Sequence, residues 1–520
     1  MSETNEYHSL KSTIGKWTII STILASSMAF IDATALNVIL PSLQRDLGAN
    51  ATDLFWVLNG YLLMLSALII VGGSLGDKLG RVKMFKIGIL IFTIGSILCG
   101  LSPSIRSLII FRMIQGTGGA LMIPGSLAII SSIFSEKEKG KAIGTWSAAT
   151  TIVGICGPVL GGALADIGLW RFIFYINVPL GIFSWLVLHL KVPESREPGA
   201  ATIDWWGATL LVVSLACLTF GFLEMPEWGF QHPVVIASLI FGILAFLFFL
   251  KIERHANAPM MPLSLFHNRT FAGLNLLSFF LYAGLGAIML FLSLNMIQAQ
   301  GYSQLEAGLT FLPFSVIMVS LARKMGSLTD RYGARPFLII GPALTGLGML
   351  WMSMIGNTLG PSEYWTTFFP PLVVFALGMA ITVVPLTSAV MTCLDVSKSG
   401  IASGINNSVT RIASTFINAI MGAVAIMIFT NYVAEVMDRF EFEENIRSEI
   451  VIEAAKFGEA RAPEQLATNL QFQINKMFIW GFISTYQIVA LLSAVLAFVS
   501  SGIAFFMVEK KNKNDGETTA

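Results

Sequence analysis

Charge is scarce in this 520-residue chain: Asp, Glu, Lys and Arg together make up 12% of it, about half of what a soluble protein carries. Acidic and basic residues nearly cancel, 31 against 32, so no basic domain stands apart to hold nucleic acid. Cysteine is as thin. Cys99, Cys156, Cys217 and Cys393 all fall in or at the ends of apolar stretches, which argues against a disulfide framework. No CxxC or Cys/His pairing occurs, and the five histidines (His8, His189, His232, His255, His267) lie in the tail, at a span end or in loops. No metal site or cofactor is expected from them. Long polar stretches are missing too, so no cytoplasmic loop can hold a catalytic or signalling domain. With no His, Cys or Ser/His/Asp cluster at membrane depth, a membrane-embedded enzyme or sensor is disfavoured.

What the chain does have is apolar residues, 55% of the total, gathered in repeated stretches. Each is long enough to cross a hydrocarbon core of about 30 Å. Windows between charged or Pro/Gly breaks predict spans near 17–39, 55–75, 85–102, 107–131, 143–165, 171–190, 205–223, 234–250, 271–298, 305–322, 336–356, 368–392, 401–430 and 479–507. The window 234–250 is short, and Ser303 divides two long ones. The first stretch runs past twenty residues with Asp32 inside it, which reads as a retained helix and not a cleaved signal.

The basic residues orient these spans. With the N-terminus inside, 22 of the 32 Lys and Arg fall on the cytoplasmic side and 8 outside. Five of those 8 sit in the one long external loop, 431–478, which the positive-inside rule discounts. Arg112 and Arg411 remain within spans. That places both termini in the cytoplasm. The external loop mixes acidic, basic and apolar residues such as Val451, Ile452 and Phe457, a pattern for one or two amphipathic helices.

A segment repeats. GSLGDKLGRVK (Gly73 to Lys83) lies between spans 2 and 3, and GSLTDRYGARP (Gly326 to Pro336) between spans 10 and 11. Two six-helix halves alone would place the second copy between spans 8 and 9. The displacement means that two extra spans separate the halves. The expected limits are 1–200 for the first half, 201–256 for the extra pair and 257–520 for the second half.

Further motifs stand in order along the spans: IDATALNVILP (Ile31 to Pro41), LIIFRMIQGTGGA (Leu108 to Ala120), GICGPVLGG (Gly154 to Gly162), WRFIFYINVPLG (Trp170 to Gly181), IDWWG (Ile203 to Gly207) and SGIASGINNSVTR (Ser399 to Arg411). Together with the repeat, they resemble the fourteen-span drug:H+ antiporter-2 family of the major facilitator superfamily over nearly the whole chain. Lys78 stands where that family usually has Arg, and Val82 at a position that is commonly basic. The resemblance implies an all-α membrane protein of the bacterial inner membrane, with a central cavity open alternately to each side. It further implies export of lipophilic or amphiphilic compounds, with no cofactor beyond the proton gradient and function as a monomer. Export of one endogenous metabolite or siderophore is the alternative.

Asp32 is the one acid well inside a predicted span; Asp166, Glu224 and Glu306 sit at ends or loops. A carboxylate in hydrocarbon is costly and marks an ion or proton path, although a helix-to-helix hydrogen bond without titration is the competing account. Arg112 keeps its charge at any working pH and needs an interior partner. Asp32 is nearest in depth, and the resemblance gives Arg112 a role in proton transfer. Gly73, Asp77, Gly80 and Arg81, with Asp330 and Arg331 in the second copy, are implied to latch the halves together. Gly154, Gly157, Pro158, Gly161 and Gly162 place small residues at helical spacing, implying a close, kinked seam between span 5 and the other half. Asn37, Asn275, Tyr282, Asn407 and Arg411 are the candidate cavity residues, with bonding across helices as the other account of them. With 38 Phe and few buried acids, the cavity suits monovalent lipophilic cations, neutral or zwitterionic amphiphiles and, through Arg411, anions, with divalent bis-cations as poor substrates.

Overall fold

The computed structural model describes residues 7–196, 204–256, 259–394, 399–439 and 442–509. Ile203 of the span-7 motif, Lys398, Lys510, Lys511 and Lys513 lie outside these residues, as do the expected limits near 200 and 257.

Among the described residues, fourteen helices are long and apolar enough to cross a bilayer, and each expected window falls on one of them. They are span 1 (Thr13–Leu47), span 2 (Ala51–Leu79), span 3 (Arg81–Gly100), span 4 (Ile105–Ile133), span 5 (Glu138–Asp166), span 6 (Phe172–Lys191) and span 7 (Trp205–Trp228). The series continues with span 8 (Pro233–His255), span 9 (Arg269–Ala299), span 10 (Gln304–Tyr332), span 11 (Arg335–Met352), span 12 (Phe369–Thr392), span 13 (Ile401–Arg439) and span 14 (Thr468–Met507). Helices are the form such segments take, because hydrocarbon offers no partner to a backbone N–H or C=O.

The helix ends follow local chemistry. Ser12 opens span 1 by accepting from the Gly15 amide at 3.0 Å, and Gly48 closes it with φ of 61°, in the left-handed region open to glycine. The break at Ser303 has a physical cause. Its hydroxyl accepts from the Glu306 amide at 3.1 Å while the Glu306 carboxylate accepts from the Ser303 amide at 2.8 Å. This reciprocal cap starts span 10, so Glu306 is an end-capping residue.

The segment 431–478, expected to be an external loop, contains less loop than expected. Span 13 continues as helix to Arg439, and span 14 begins at Thr468. Between them stand a single separate helix, Glu444–Ala454, and a short turn, Phe457–Glu459. Phe457 adopts φ of 59° and buries its ring 4.7 Å from that of Phe482 and 5.1 Å from that of Phe429.

Packing divides the chain into two compact units. One comprises the described residues of Met1–Ala49, Asp53–Gly221 and Gln231–Met261; the other comprises those of Asn50–Thr52, Phe222–Phe230 and Pro262–Ala520. Span 8 and most of span 7 thus belong with the first six spans. Within the first unit, glycines let helices approach closely. A Cβ on Gly118 of span 4 would lie 2.4 Å from the Phe92 nitrogen of span 3. One on Gly116 would lie 2.3 Å from the Tyr61 carbonyl oxygen of span 2. Span 8 presents the opposite surface, with Ile240, Phe241, Leu247 and Phe248 exposed, as a lipid-facing helix requires.

Gly118→Ala should therefore destabilise the protein by about 1–3 kcal/mol through overpacking against backbone that cannot retreat. Gly144→Ala should be neutral or slightly stabilising, because nothing lies within 4 Å of the added carbon. Melting temperatures of the two variants in one detergent check this. Equal values would remove the close approach at Gly118 as a constraint.

Candidate functional site

Arg112 and Gln115 are three residues apart on span 4 and so share a helix face. The glycines that follow draw spans 2 and 3 against that face. Arg112 is 1% exposed and Asp32, on span 1, 2% exposed. Arg112 Nη1 donates to Asp32 Oδ2 at 2.5 Å and to Gln115 Oε1, also at 2.5 Å. Gln115 Nε2 donates to Asp32 Oδ1 at 2.9 Å, so each carboxylate oxygen has a donor. The expected pairing of Asp32 with Arg112 is present, with Gln115 bridging both ends.

The network closes beyond the pair. Gln115 Nε2 also donates to Ser96 Oγ at 3.3 Å, and Asn177 Nδ2 donates to the same oxygen at 2.9 Å. The Ser96 hydroxyl in turn donates to the Phe174 carbonyl at 2.9 Å, so one donor and two acceptor sites are all used. Arg112 Nε donates to the Val57 carbonyl at 3.4 Å. The guanidinium carbon stands 4.3 Å from the Tyr61 ring centroid and 5.9 Å from that of Phe174, adding cation–π attraction. Attraction within such a pair is largely offset by desolvation, but removing one partner costs about 3–5 kcal/mol, because the other charge stays buried. Gln115, Ser96, Asn177 and Tyr61 are not among the expected site residues. The signals for them are the three-residue spacing of Gln115 from Arg112 and polar side chains inside apolar windows.

The span-5 glycines pack on span 1 of the same unit. A Cβ on Gly157 would lie 2.0 Å from Thr34 Oγ1 and 3.2 Å from the Ile31 carbonyl, and one on Gly161 would lie 2.9 Å from the Ala35 carbonyl. Thr34 Oγ1 donates to the Gly154 carbonyl at 3.1 Å. Pro158 and Gly162 lie in the same stretch. The seam grips span 1 at residues 31, 34 and 35, on either side of Asp32, and so fixes the carboxylate's position along and around the helix.

In the repeated motif, Arg81 Nε donates to Asp77 Oδ1 at 2.8 Å, and Gly80 takes φ of 117° between spans 2 and 3. Glu194, unmarked in the sequence, caps span 3: its carboxylate accepts from the Val82 and Lys83 amides, both at 2.9 Å. A Cβ on Gly80 would meet that carboxyl carbon at 2.8 Å, which is why glycine is needed there. Gly73 lies half-buried one helical turn before Asp77. In the second copy Asp330 is exposed, and the Arg331 guanidinium lies 5.2 Å from the Tyr332 ring centroid.

The candidate cavity residues divide. Asn275 is buried and its amide donates to the Phe271 carbonyl of its own helix at 2.9 Å. Asn37, Tyr282 and Arg411 are half-buried, and Asn407 is exposed. Asn406 makes a polar link between spans 13 and 9, donating to Ser278 Oγ at 2.7 Å and to Asn275 Oδ1 at 3.3 Å. A second buried acid also appears. Glu253, 2% exposed, lies beyond the expected end of span 8 at 250, because the helix continues to His255.

Comparison with known proteins agrees with this architecture. A family model described as "Major Facilitator Superfamily" matches residues 22–418. The multidrug resistance protein Stp of Mycobacterium tuberculosis is 34% identical over 410 residues, 78% of this chain and 75% of that protein. The tetracenomycin C resistance and export protein of Streptomyces glaucescens is 28% identical over 499 residues, 94% of this chain and 91% of that protein. Among solved structures, an inward-facing, unoccupied bacterial homolog of the human lysosomal transporter Spinster superposes with a TM-score of 0.63. Identity there is 17%, with 97% of this chain and 100% of that chain covered. With its family model spanning most of the length and these relatives aligned along three quarters of it or more, this fourteen-span chain belongs to the major facilitator superfamily.

Proposed function

We propose that the protein is a proton-coupled antiporter that exports small lipophilic or amphiphilic compounds, among them drugs, dyes and antiseptics, across the bacterial inner membrane by alternating access. It works as a monomer with both termini in the cytoplasm. The buried Asp32–Arg112–Gln115 network carries this reading. The names of related proteins support export: multidrug resistance protein Stp, tetracenomycin C resistance and export protein, and puromycin resistance protein pur8.

Coupling follows from the hydrogen-bond inventory. As an anion, Asp32 accepts from Arg112 and Gln115 and needs no acceptor of its own. Once protonated, it loses its attraction for Arg112 and gains an O–H that must be satisfied. The Gln115 amide that donates to Asp32 carries an acceptor, Oε1, which already serves Arg112 at 2.5 Å. Proton uptake thus competes with the guanidinium for one oxygen and loosens the contact between spans 1 and 4. Substrate release and proton entry are linked through that contact.

Three measurements test the proposal. A single cysteine at Ser448, in a background without the four native cysteines, should react with an impermeant thiol reagent from outside. One at Ser327 should not, and labelling at both or neither would overturn the orientation. Asp32→Asn keeps shape and hydrogen bonding but cannot titrate, so gradient-driven efflux should be lost while the protein still inserts. Gln115→Leu should weaken coupling with less effect on substrate binding. Unchanged proton release from inverted vesicles carrying Asp32→Asn would remove Asp32 from the mechanism. A monovalent quaternary ammonium dye should be exported well and its divalent counterpart poorly. Strong export of the divalent dye by Asp32→Asn would contradict this account of the cavity.

A further inference from the structure

Outside the Asp32 network, the first unit contains two carboxyl groups that each bring an oxygen close to Gly207, and neither oxygen has a hydrogen-bond partner among the described residues. Asp204 begins span 7: its Oδ1 accepts from the Gly207 amide at 2.8 Å, and its carbonyl accepts from the Ala208 amide at 3.0 Å. Glu253 lies in the last turn of span 8, where its Oε2 accepts from the Met261 amide at 3.1 Å. The remaining oxygens, Asp204 Oδ2 and Glu253 Oε1, are buried and have no hydrogen-bond partner. Both crowd one point. A Cβ on Gly207 would lie 2.6 Å from Asp204 Oδ2 and 3.2 Å from Glu253 Oε1. Glycine at 207 is what leaves room for the two oxygens to meet, and this gives the D-x-x-G spacing of the span-7 motif a physical meaning.

Among the described residues, no cation is paired with either carboxyl. Span 7 brings no charged side chain to this end besides Asp204. Lys251, Arg254 and His255 on span 8 are exposed, and none of them pairs with either carboxyl among the described residues. The segment after span 8 contributes the backbone N–H groups of Met260 and Met261, which reach the Glu253 carboxyl and leave its Oε1 without a hydrogen bond. Spans 7 and 8 are themselves locked together, with Ser214 Oγ donating to the Gly242 carbonyl at 2.9 Å. Two ionised carboxylates here would repel each other in a site closed to water. A proton on one of them supplies the missing donor, and a single O–H···O⁻ bond satisfies both orphan oxygens.

We propose that Asp204 and Glu253 form a proton-binding pair, one proton shared between Asp204 Oδ2 and Glu253 Oε1, separate from the Asp32 network. Trp205 and Trp206, 60% and 75% exposed, set this end of span 7 at a membrane–water interface. The proton therefore exchanges with the aqueous phase at the ends of the two extra spans. That this phase is the cytoplasm rests on the orientation proposed above; the existence of the pair does not.

The test is infrared difference spectroscopy on the full-length protein in lipid nanodiscs, stepping the buffer across the neutral range, where ordinary exposed carboxylates are already ionised. A protonated-carboxyl C=O stretch should titrate in the wild type and persist in Asp32→Asn. It should vanish in Glu253→Gln and in Asp204→Asn, a substitution that keeps the helix cap. Wild-type melting temperature should fall towards alkaline pH as the proton is lost, and Glu253→Gln should flatten that dependence. Absence of the band in Asp32→Asn would overturn the pair whether or not the other variants fold. So would a band unchanged in both carboxyl variants, or carboxylate bands that respond to added sodium at constant pH, the mark of a metal-cation site.

Discussion

Arg112 cannot give up its charge, and the first unit is arranged around that fact. A guanidinium 1% exposed among apolar helices requires a counter-charge, hydrogen-bond acceptors and an aromatic face. Asp32, Gln115, Val57 and Tyr61 supply these from spans 1, 4 and 2. None of these groups reaches the others unless the helices approach more closely than ordinary side chains allow. The glycines at 116 and 118 meet that requirement on span 4, and those at 157 and 161 meet it where span 5 grips span 1. The family motifs that appear separate in the sequence thus serve one electrostatic demand.

The order of these effects matters. Hydrophobic burial does little to hold helices together in lipid, because lipid tails are as apolar as the helix faces. Close packing and polar bonds across helices take its place. Small residues at 154, 157 and 161 and the Thr34–Gly154 bond are therefore structural in origin, whatever conformational role they also acquire. The same logic applies where Glu194 caps span 3: the carboxylate satisfies two amides at a helix N-terminus, and Gly80 exists to admit it.

The span count is legible in the sequence because an apolar window of bilayer length is seldom anything but a membrane crossing. Asp32 and Arg112 are legible as rare charges within those windows, and their pairing follows from comparable depth. Other features are hidden for definite reasons. Hydropathy falls at the first charge, whereas backbone hydrogen bonding does not. Span 8 therefore runs on past Lys251 to His255, and span 14 starts at Thr468 and not at 479. Hydropathy alone places Glu253 in a loop for that reason. Small-residue spacing reveals that some helix comes close but not which one, so the partner of the span-5 seam is not readable. Glu194 lies over a hundred residues from the amides it caps, a pairing that no local pattern encodes.

Two buried carboxyl sites in one unit solve the same problem in opposite ways. Around Asp32 donors are plentiful: both oxygens are occupied, and a proton can enter only by displacing a guanidinium or an amide. Around Asp204 and Glu253 two oxygens crowd Gly207 with no hydrogen-bond partner among the described residues, and the proposed proton would complete the site without displacing anything. The first arrangement makes proton uptake a structural event, because spans 1 and 4 must yield part of their contact. The second makes proton loss the structural event, since two anions would then press apart spans 7 and 8. The supply of donors around each carboxyl, more than its depth in the membrane, sets what a proton would have to displace there.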